Sequence, residues 1–235
     1  MTLLALEQVS RSHRHGAHEH ILLSDVSLEV HAGELVAIWG MRRCGRSTLL
    51  RIAAGIEPPD AGVVRFDGHR LRAGSGALGS GIGYCRRGAQ GGESRGVLDE
   101  LVVAELARGV AGEEARAHAL HALARVGAAE SAALAPHDLD GAEAVRVALA
   151  RALSSEPSLL LVDDPIRGVD LAQRDEILML LRSLADEGIA VLMATDDATG
   201  LSGADRALSL SGGVLRGERT PELAPVVPLR RAAGA

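Results

Sequence analysis

Residues 40–50 read GMRRCGRSTLL. Gly40 and Gly45 stand five positions apart, and Ser47 and Thr48 follow directly. This is the G-x-x-x-x-G-K-[ST] spacing of a phosphate-binding loop, with Arg46 where the pattern has lysine. The run before it, ELVAIW, is apolar and strand-like. The run after it, STLLRIAAG, has helical character, with Gly55 as a stop and Pro58-Pro59 beyond. A glycine-bounded turn between strand and helix offers backbone N–H groups and a helix N-terminus to phosphate oxygens. On this reading Gly40, Arg42, Arg43, Cys44, Gly45, Arg46, Ser47 and Thr48 form the cradle, and the Ser47 hydroxyl reaches Mg²⁺. The competing reading is a basic turn that holds nothing.

Arg46 has a compositional explanation. All 25 basic residues are arginine, and the chain of 235 residues contains no lysine. The net charge of −6 gives no basic footprint for nucleic acid. Trp39, Phe66 and Tyr84 are the only aromatics, too few for a base-stacking platform. Cys44 and Cys85 make no disulfide framework and fit a reducing compartment. No apolar run approaches the ~18 residues of a membrane helix, and no signal segment opens the chain. The expectation is a cytoplasmic protein.

Short apolar runs fill the first third (LLALEQV, ILLSDVSLEV, GVVRFDG), bounded by Gly, Asp and His as strands are. Residues 98–126 turn to Ala, Leu, Glu and Arg at helical spacing, broken near Gly109 and Gly112. DGAEAVRVALARAL, 140–153, reads as a further helix. SLLLVDDP is a buried strand ending in acids. It is followed by a long amphipathic helix, a buried strand IAVLMAT, and a hairpin ALSLSGGVLRGE. Strand, loop and helix followed by alternating buried strands and helices argue an α/β core. Ligands in such sheets bind outside the carboxyl ends of strands. Asp163 emerges there and can hold Mg²⁺ directly or through water. Asp164 follows and can polarise an attacking water. A solvated acidic turn is the alternative. HRHGAHEH, 13–20, offers four imidazoles that suit Zn²⁺ or Ni²⁺, or else a polar hairpin.

These stretches together resemble the ATP-binding subunit of an ATP-binding cassette (ABC) transporter, from Leu3 to about Gly217. GMRRCGRSTLLRIAAGIEPPDAGVVRFDG is similar to the Walker A region and the strand beyond. LDGAEAVRVALARAL is similar to the signature segment, LLLVDDPIRGVD to Walker B with its D-loop at Asp170, and VLMATDDATGLSGADRALSLSGG to the switch segment. The resemblance implies an α/β P-loop NTPase core with an antiparallel β lobe and an α-helical subdomain. The ATP-binding domain would span 1–220, with the helical part at about 98–154 and a tail at 221–235. It implies ATP and Mg²⁺ as ligands. It also implies a homodimer or heterodimer of such subunits sandwiching two nucleotides, and membrane-spanning permease partners. Gly141 would meet the nucleotide of the opposing subunit. A catalytically weak regulatory subunit and a cassette acting outside transport remain alternatives.

The departures fall on working residues. Arg46 keeps the charge of lysine but presents a planar fork. Arg43 stands where the family has glycine. Asp164 replaces a glutamate and is one methylene shorter; a displacement of ~1 Å can cost on the order of 100-fold. Asp140 replaces the signature serine, Ala142 a signature glycine, and Asp196 the switch histidine. Arg87 takes the place of the glutamine that couples to membrane partners, with Gln90 close by. His13 is the nearest stand-in for the aromatic that stacks on adenine. Arg42, Arg43 and Arg46 could balance the added acids.

Overall fold

The computed structural model describes residues 1–15, 18–74, 81–86 and 96–219. The expectations for Arg87, Gln90 and the 221–235 tail lie outside the described residues.

A six-stranded sheet carries the centre. Its members are β3 (Leu35–Trp39), β6 (Ile82–Arg86), β7 (Leu159–Asp163), β8 (Ala190–Thr195), β9 (Arg206–Ser211) and β10 (Val214–Arg219), in the order β10-β9-β3-β8-β7-β6. All neighbouring pairs are parallel except the β9–β10 hairpin. The central strands are apolar on both faces, as a covered parallel sheet requires. On β7, Leu160 and Val162 face one core while Leu159 and Leu161 face another; on β8, Val191 and Met193 divide from Ala190, Leu192 and Ala194 in the same way.

The second core lies under an antiparallel sheet in the order β2-β1-β4-β5, built from β1 (Thr2–His15), β2 (His18–His31), β4 (Ala61–Phe66) and β5 (His69–Arg70). Helix α1 (Arg46–Ala53) fills the space between the sheets with Leu49, Leu50, Ile52 and Ala53. The first two strands run further than their apolar stretches. Each has 14 residues and continues into the histidine tract, where His13 pairs with His20 and His15 with His18. Cross-strand backbone pairing satisfies donors and acceptors whatever the side chains are, so the ladder outlasts the hydrophobic pattern.

The first core is closed by α2 (Val97–Ala107), α3 (Gly112–Arg125), α4 (Gly141–Leu153) and α5 (Leu171–Asp186). On α3, Ala115, Ala119, Ala122 and Leu123 are buried, the single stripe of an amphipathic helix. Glu105 of α2, 1% exposed, pairs with Arg108 and lies 3.5 Å from His118 Nδ1 of α3. Arg108 also donates to Ser154 Oγ at 3.0 Å, tying α2 to the end of α4.

Helix α4 begins with a capping box. Asp140 Oδ1 accepts from the Glu143 N–H at 2.7 Å, and Glu143 Oε2 accepts from the Asp140 N–H at 2.9 Å. The hydrogen bond from the Glu143 amide holds the Asp140 carboxyl below its ordinary range. Asp140→Ala should therefore lower stability by about 1 kcal/mol, whereas Asp140→Ser, an equally good cap, should cost much less. Because the folded-state value is depressed, the contribution is complete above the usual carboxylate range and disappears as pH falls through the lowered value. Urea unfolding of the three proteins at neutral and acid pH measures this.

Candidate nucleotide site

The turn between β3 and α1 is shaped by backbone before side chains. Gly45 precedes α1 with φ +105°, and a Cβ there would fall 2.3 Å from the Leu22 carbonyl oxygen of β2. At Gly40 a Cβ would fall 2.6 Å from both Cys44 Sγ and the Leu210 carbonyl oxygen. The Gly40 N–H donates to the Thr195 carbonyl at 3.2 Å, and the Cys44 N–H closes the turn on Met41 at 3.2 Å. Arg43 adopts φ +65°, the left-handed region that costs an ordinary L-residue about 1–2 kcal/mol. The first N–H groups of α1 have no intrahelical acceptor and open on this turn.

The acids come from the ends of β7 and β8. Ser47 Oγ donates to Asp163 Oδ1 at 3.1 Å. Asp164 turns left-handed at φ +50°, a conformation aspartate tolerates better than most residues, and its N–H donates to the Ala194 carbonyl at 2.8 Å. Asp164 Oδ1 then accepts twice, from Arg46 at 2.9 Å and from the Asp196 N–H at 3.1 Å. The Arg46 guanidinium is 6% exposed and also lies 3.9 Å from Asp196 Oδ2, while Arg42 Nε is 3.6 Å from that oxygen. Burial pushes the Asp164 carboxyl up; Arg46 opposes the shift, and Asp196 and Asp163 add to it.

The sequence-derived residues thus divide. Gly40, Arg42, Cys44, Gly45, Arg46, Ser47, Asp163, Asp164 and Asp196 meet in one place. Arg43, Cys44, Gly45, Arg46, Ser47 and Thr48 also border a cavity of about 780 Å³ that His13 and His20 line as well. Among the described residues no three metal-binding side chains gather into a cluster. Gly141 lies elsewhere: a Cβ on it would sit 2.4 Å from the Gly168 carbonyl oxygen. Asp140 is likewise engaged at the start of α4; within one chain the acids that meet Arg42 and Arg46 are Asp164 and Asp196. Arg167 and Arg86 join this region from outside the sequence-derived set. They line, with Ser47, Asp163 and Asp164, a second cavity of about 390 Å³. Their only sequence signal is position: Arg86 adjoins Arg87, and Arg167 sits inside DDPIRGVD.

A phosphate loop at the carboxyl end of a central parallel strand, facing an acid-tipped neighbour, defines a P-loop nucleotide-binding protein. Residues 23–167 match the family described as ABC transporter. The lipoprotein-releasing system ATP-binding protein LolD of Jannaschia sp. (strain CCS1) is 35% identical over 222 residues, covering 90% of this chain and 96% of the relative. The aliphatic sulfonates import ATP-binding protein SsuB 2 of Pseudomonas aeruginosa (strain UCBPP-PA14) is 40% identical over 212 residues, covering 89% and 72%. The dimeric structure of MJ0796, a bacterial ABC transporter cassette, superposes with a TM-score of 0.84 at 26% identity, over 92% of this chain and 98% of that one. The same cassette in a dimeric post-hydrolysis state bound to ADP and Pi gives 0.83 at 26% identity, over 92% and 98%. The chain belongs to the ABC transporter family and is an ATP-binding subunit of that family.

The left-handed backbone of Arg43 has a measurable consequence. Arg43→Gly should raise stability by up to about 1 kcal/mol, the relieved strain being partly offset by the freedom of glycine in the unfolded chain. Arg43→Ala keeps the strain and should give no such gain. Guanidinium chloride midpoints at unchanged m-value compare the two.

Proposed function

We propose that this subunit binds Mg-ATP in the phosphate loop and hydrolyses it slowly. The observation that carries the reading is the Ser47–Asp163 hydrogen bond, 3.1 Å, beside the open N-terminus of α1. Mg²⁺ takes oxygen ligands, and a hydroxyl and a carboxylate already side by side fit it. When bound, the ion would neutralise charge between the outer phosphates. The N–H groups between Gly40 and Thr48 would hold the phosphates, with Arg42 and Arg43 at the loop's outer edge. His13 and His20 border the larger cavity, which includes neither Asp163 nor Asp164, and the base would lie there.

Slow hydrolysis follows from what the acids are doing. Asp164 is the group placed to orient water, yet its Oδ1 is already shared between Arg46 and the Asp196 amide. A carboxylate committed to a guanidinium is a poor acceptor for a water proton, and Arg46, held at the acids, is not free to follow a moving phosphate. Asp196 puts a further negative charge beside the reaction.

The nucleotide-loaded form would pair with a second copy or with another ATP-binding subunit, bringing Asp140 and Gly141 of one to the nucleotide of the other. Closure would drive a membrane-spanning permease, with the chain peripheral to the membrane on its cytoplasmic side. Three things support this: the dimeric MJ0796 structures, the transport systems named for the relatives, and the finding that among the described residues no helix is long and apolar enough to span a bilayer. Nucleic acid is not a partner on this reading.

Titration with fluorescent ATP should saturate below millimolar concentrations and tighten with Mg²⁺, and Asp163→Ala should abolish the Mg²⁺ dependence. Absence of saturable binding at millimolar ATP would contradict the reading. Phosphate release under saturating Mg-ATP should be slower than about 1 s⁻¹, the low end of ordinary enzymes. Arg46→Lys alone should not restore it, because residues acting as a unit are non-additive. Arg46→Lys, Asp140→Ser, Asp164→Glu and Asp196→His combined should gain far more than any one of them.

A further inference from the structure

The positive charges around the nucleotide site are not equally available. Arg46 occupies the lysine position of the loop but points into the acids. It is 6% exposed, 2.9 Å from Asp164 Oδ1 and 3.9 Å from Asp196 Oδ2. Arg42 leans on the same Asp196 at 3.6 Å. Arg43 borders the larger cavity but not the smaller one; two other guanidiniums, on the smaller cavity, have no such commitment either. Arg86 ends β6 and is the register partner of Asp163 at the end of β7. Arg167 lies in the turn after β7, its N–H donating to the Asp164 carbonyl at 3.3 Å. Both side chains are exposed, and neither forms an ion pair among the described residues. Both border the 390 Å³ cavity whose other walls are Ser47, Asp163 and Asp164.

That placement is informative about which part of a nucleotide they would touch. On the nucleotide reading Ser47 and Asp163 would hold the cation, which would neutralise charge on the outer phosphates. Arginines on this cavity, which shares Ser47 with the histidine-lined one but includes neither His13 nor His20, would stand by the terminal phosphate rather than by the base or the inner phosphates. A guanidinium presents a fork of donors that matches phosphate oxygens two at a time, and an unpaired one does not have to leave a carboxylate first. We propose that Arg86 and Arg167, rather than Arg46, are the cations that receive the terminal phosphate, so that these two residues set the preference for a nucleoside triphosphate over a diphosphate. This rests on the reading of the site as a nucleotide site.

The two positions lie on different elements, the end of β6 and the turn after β7, and converge only through the β6–β7 pairing. A terminal phosphate held between them would lie beside Asp163, the register partner of Arg86.

The test is calorimetric titration of the full chain with Mg-ATP and with Mg-ADP, in the wild type, R86Q, R167Q and the double variant. The side chains replaced are exposed, and thermal unfolding of each variant confirms that it is folded. In the double variant ATP affinity should fall on the order of tenfold or more, as expected for loss of charge-assisted hydrogen bonds. ADP affinity should change less than about threefold on the same scale, and each single variant should lie between. An unchanged ATP-to-ADP ratio in the double variant, whether both affinities hold or both fall together, overturns this assignment and leaves the nucleotide reading standing. A wild type that binds neither nucleotide overturns both.

Discussion

A guanidinium buried against two carboxylates organises the site. Arg46 leaves the first turn of α1 and reaches the tips of β7 and β8, where Asp164 and Asp196 stand. Charges about 3–4 Å apart at the edge of a protein attract by about 4–5 kcal/mol at an effective dielectric near 20, and desolvation takes back much of that. What survives is geometric. The bond crosses from the loop to two strands that are not its sequence neighbours, and Asp164 passes the constraint on by accepting the Asp196 amide. The left-handed turn at Asp164 is held in the same knot by its own N–H on Ala194. Removing one partner would leave the other charged and largely buried, which is costlier than never having had the pair.

The fold was legible because its central strands are apolar on both faces and its loop keeps two glycines at fixed spacing. Gly40 and Gly45 could be read from letters alone, since the contacts that exclude a Cβ there come from backbone and from the turn itself. The extent of β1 and β2 could not, because His13 to His20 carry no apolar alternation and the ladder there is a backbone affair. The choice made by Arg46 was equally hidden. Its charge suggested phosphate, and only the tertiary approach of β7 and β8 supplies a carboxylate within reach. Arg86 and Arg167 sit beside recognisable motifs but outside their defining letters, so nothing in the pattern marked them.

Asp140 shows why a single letter can carry two unrelated constraints. In its own chain it caps α4, a task serine performs as well. At another subunit's phosphates, the place proposed for it, a neutral donor would serve better. The first requirement is met by geometry within three residues of Asp140, through Glu143; the second depends on a surface that a single chain does not complete. A residue can be well chosen for folding while being poorly chosen for the chemistry.

The phosphate loop behaves as a mould with two fixed points. A side chain at residue 40 would strike the Leu210 carbonyl, and one at residue 45 the Leu22 carbonyl, so both ends are anchored to the backbone of other strands. Between them the path is prescribed, and even Arg43 follows it against its own preference. The four inner side chains can therefore change in size, charge and chemistry while the trace of the chain stays put. Divergence at such a loop alters what its groups do to a bound phosphate long before it alters where the phosphate would rest.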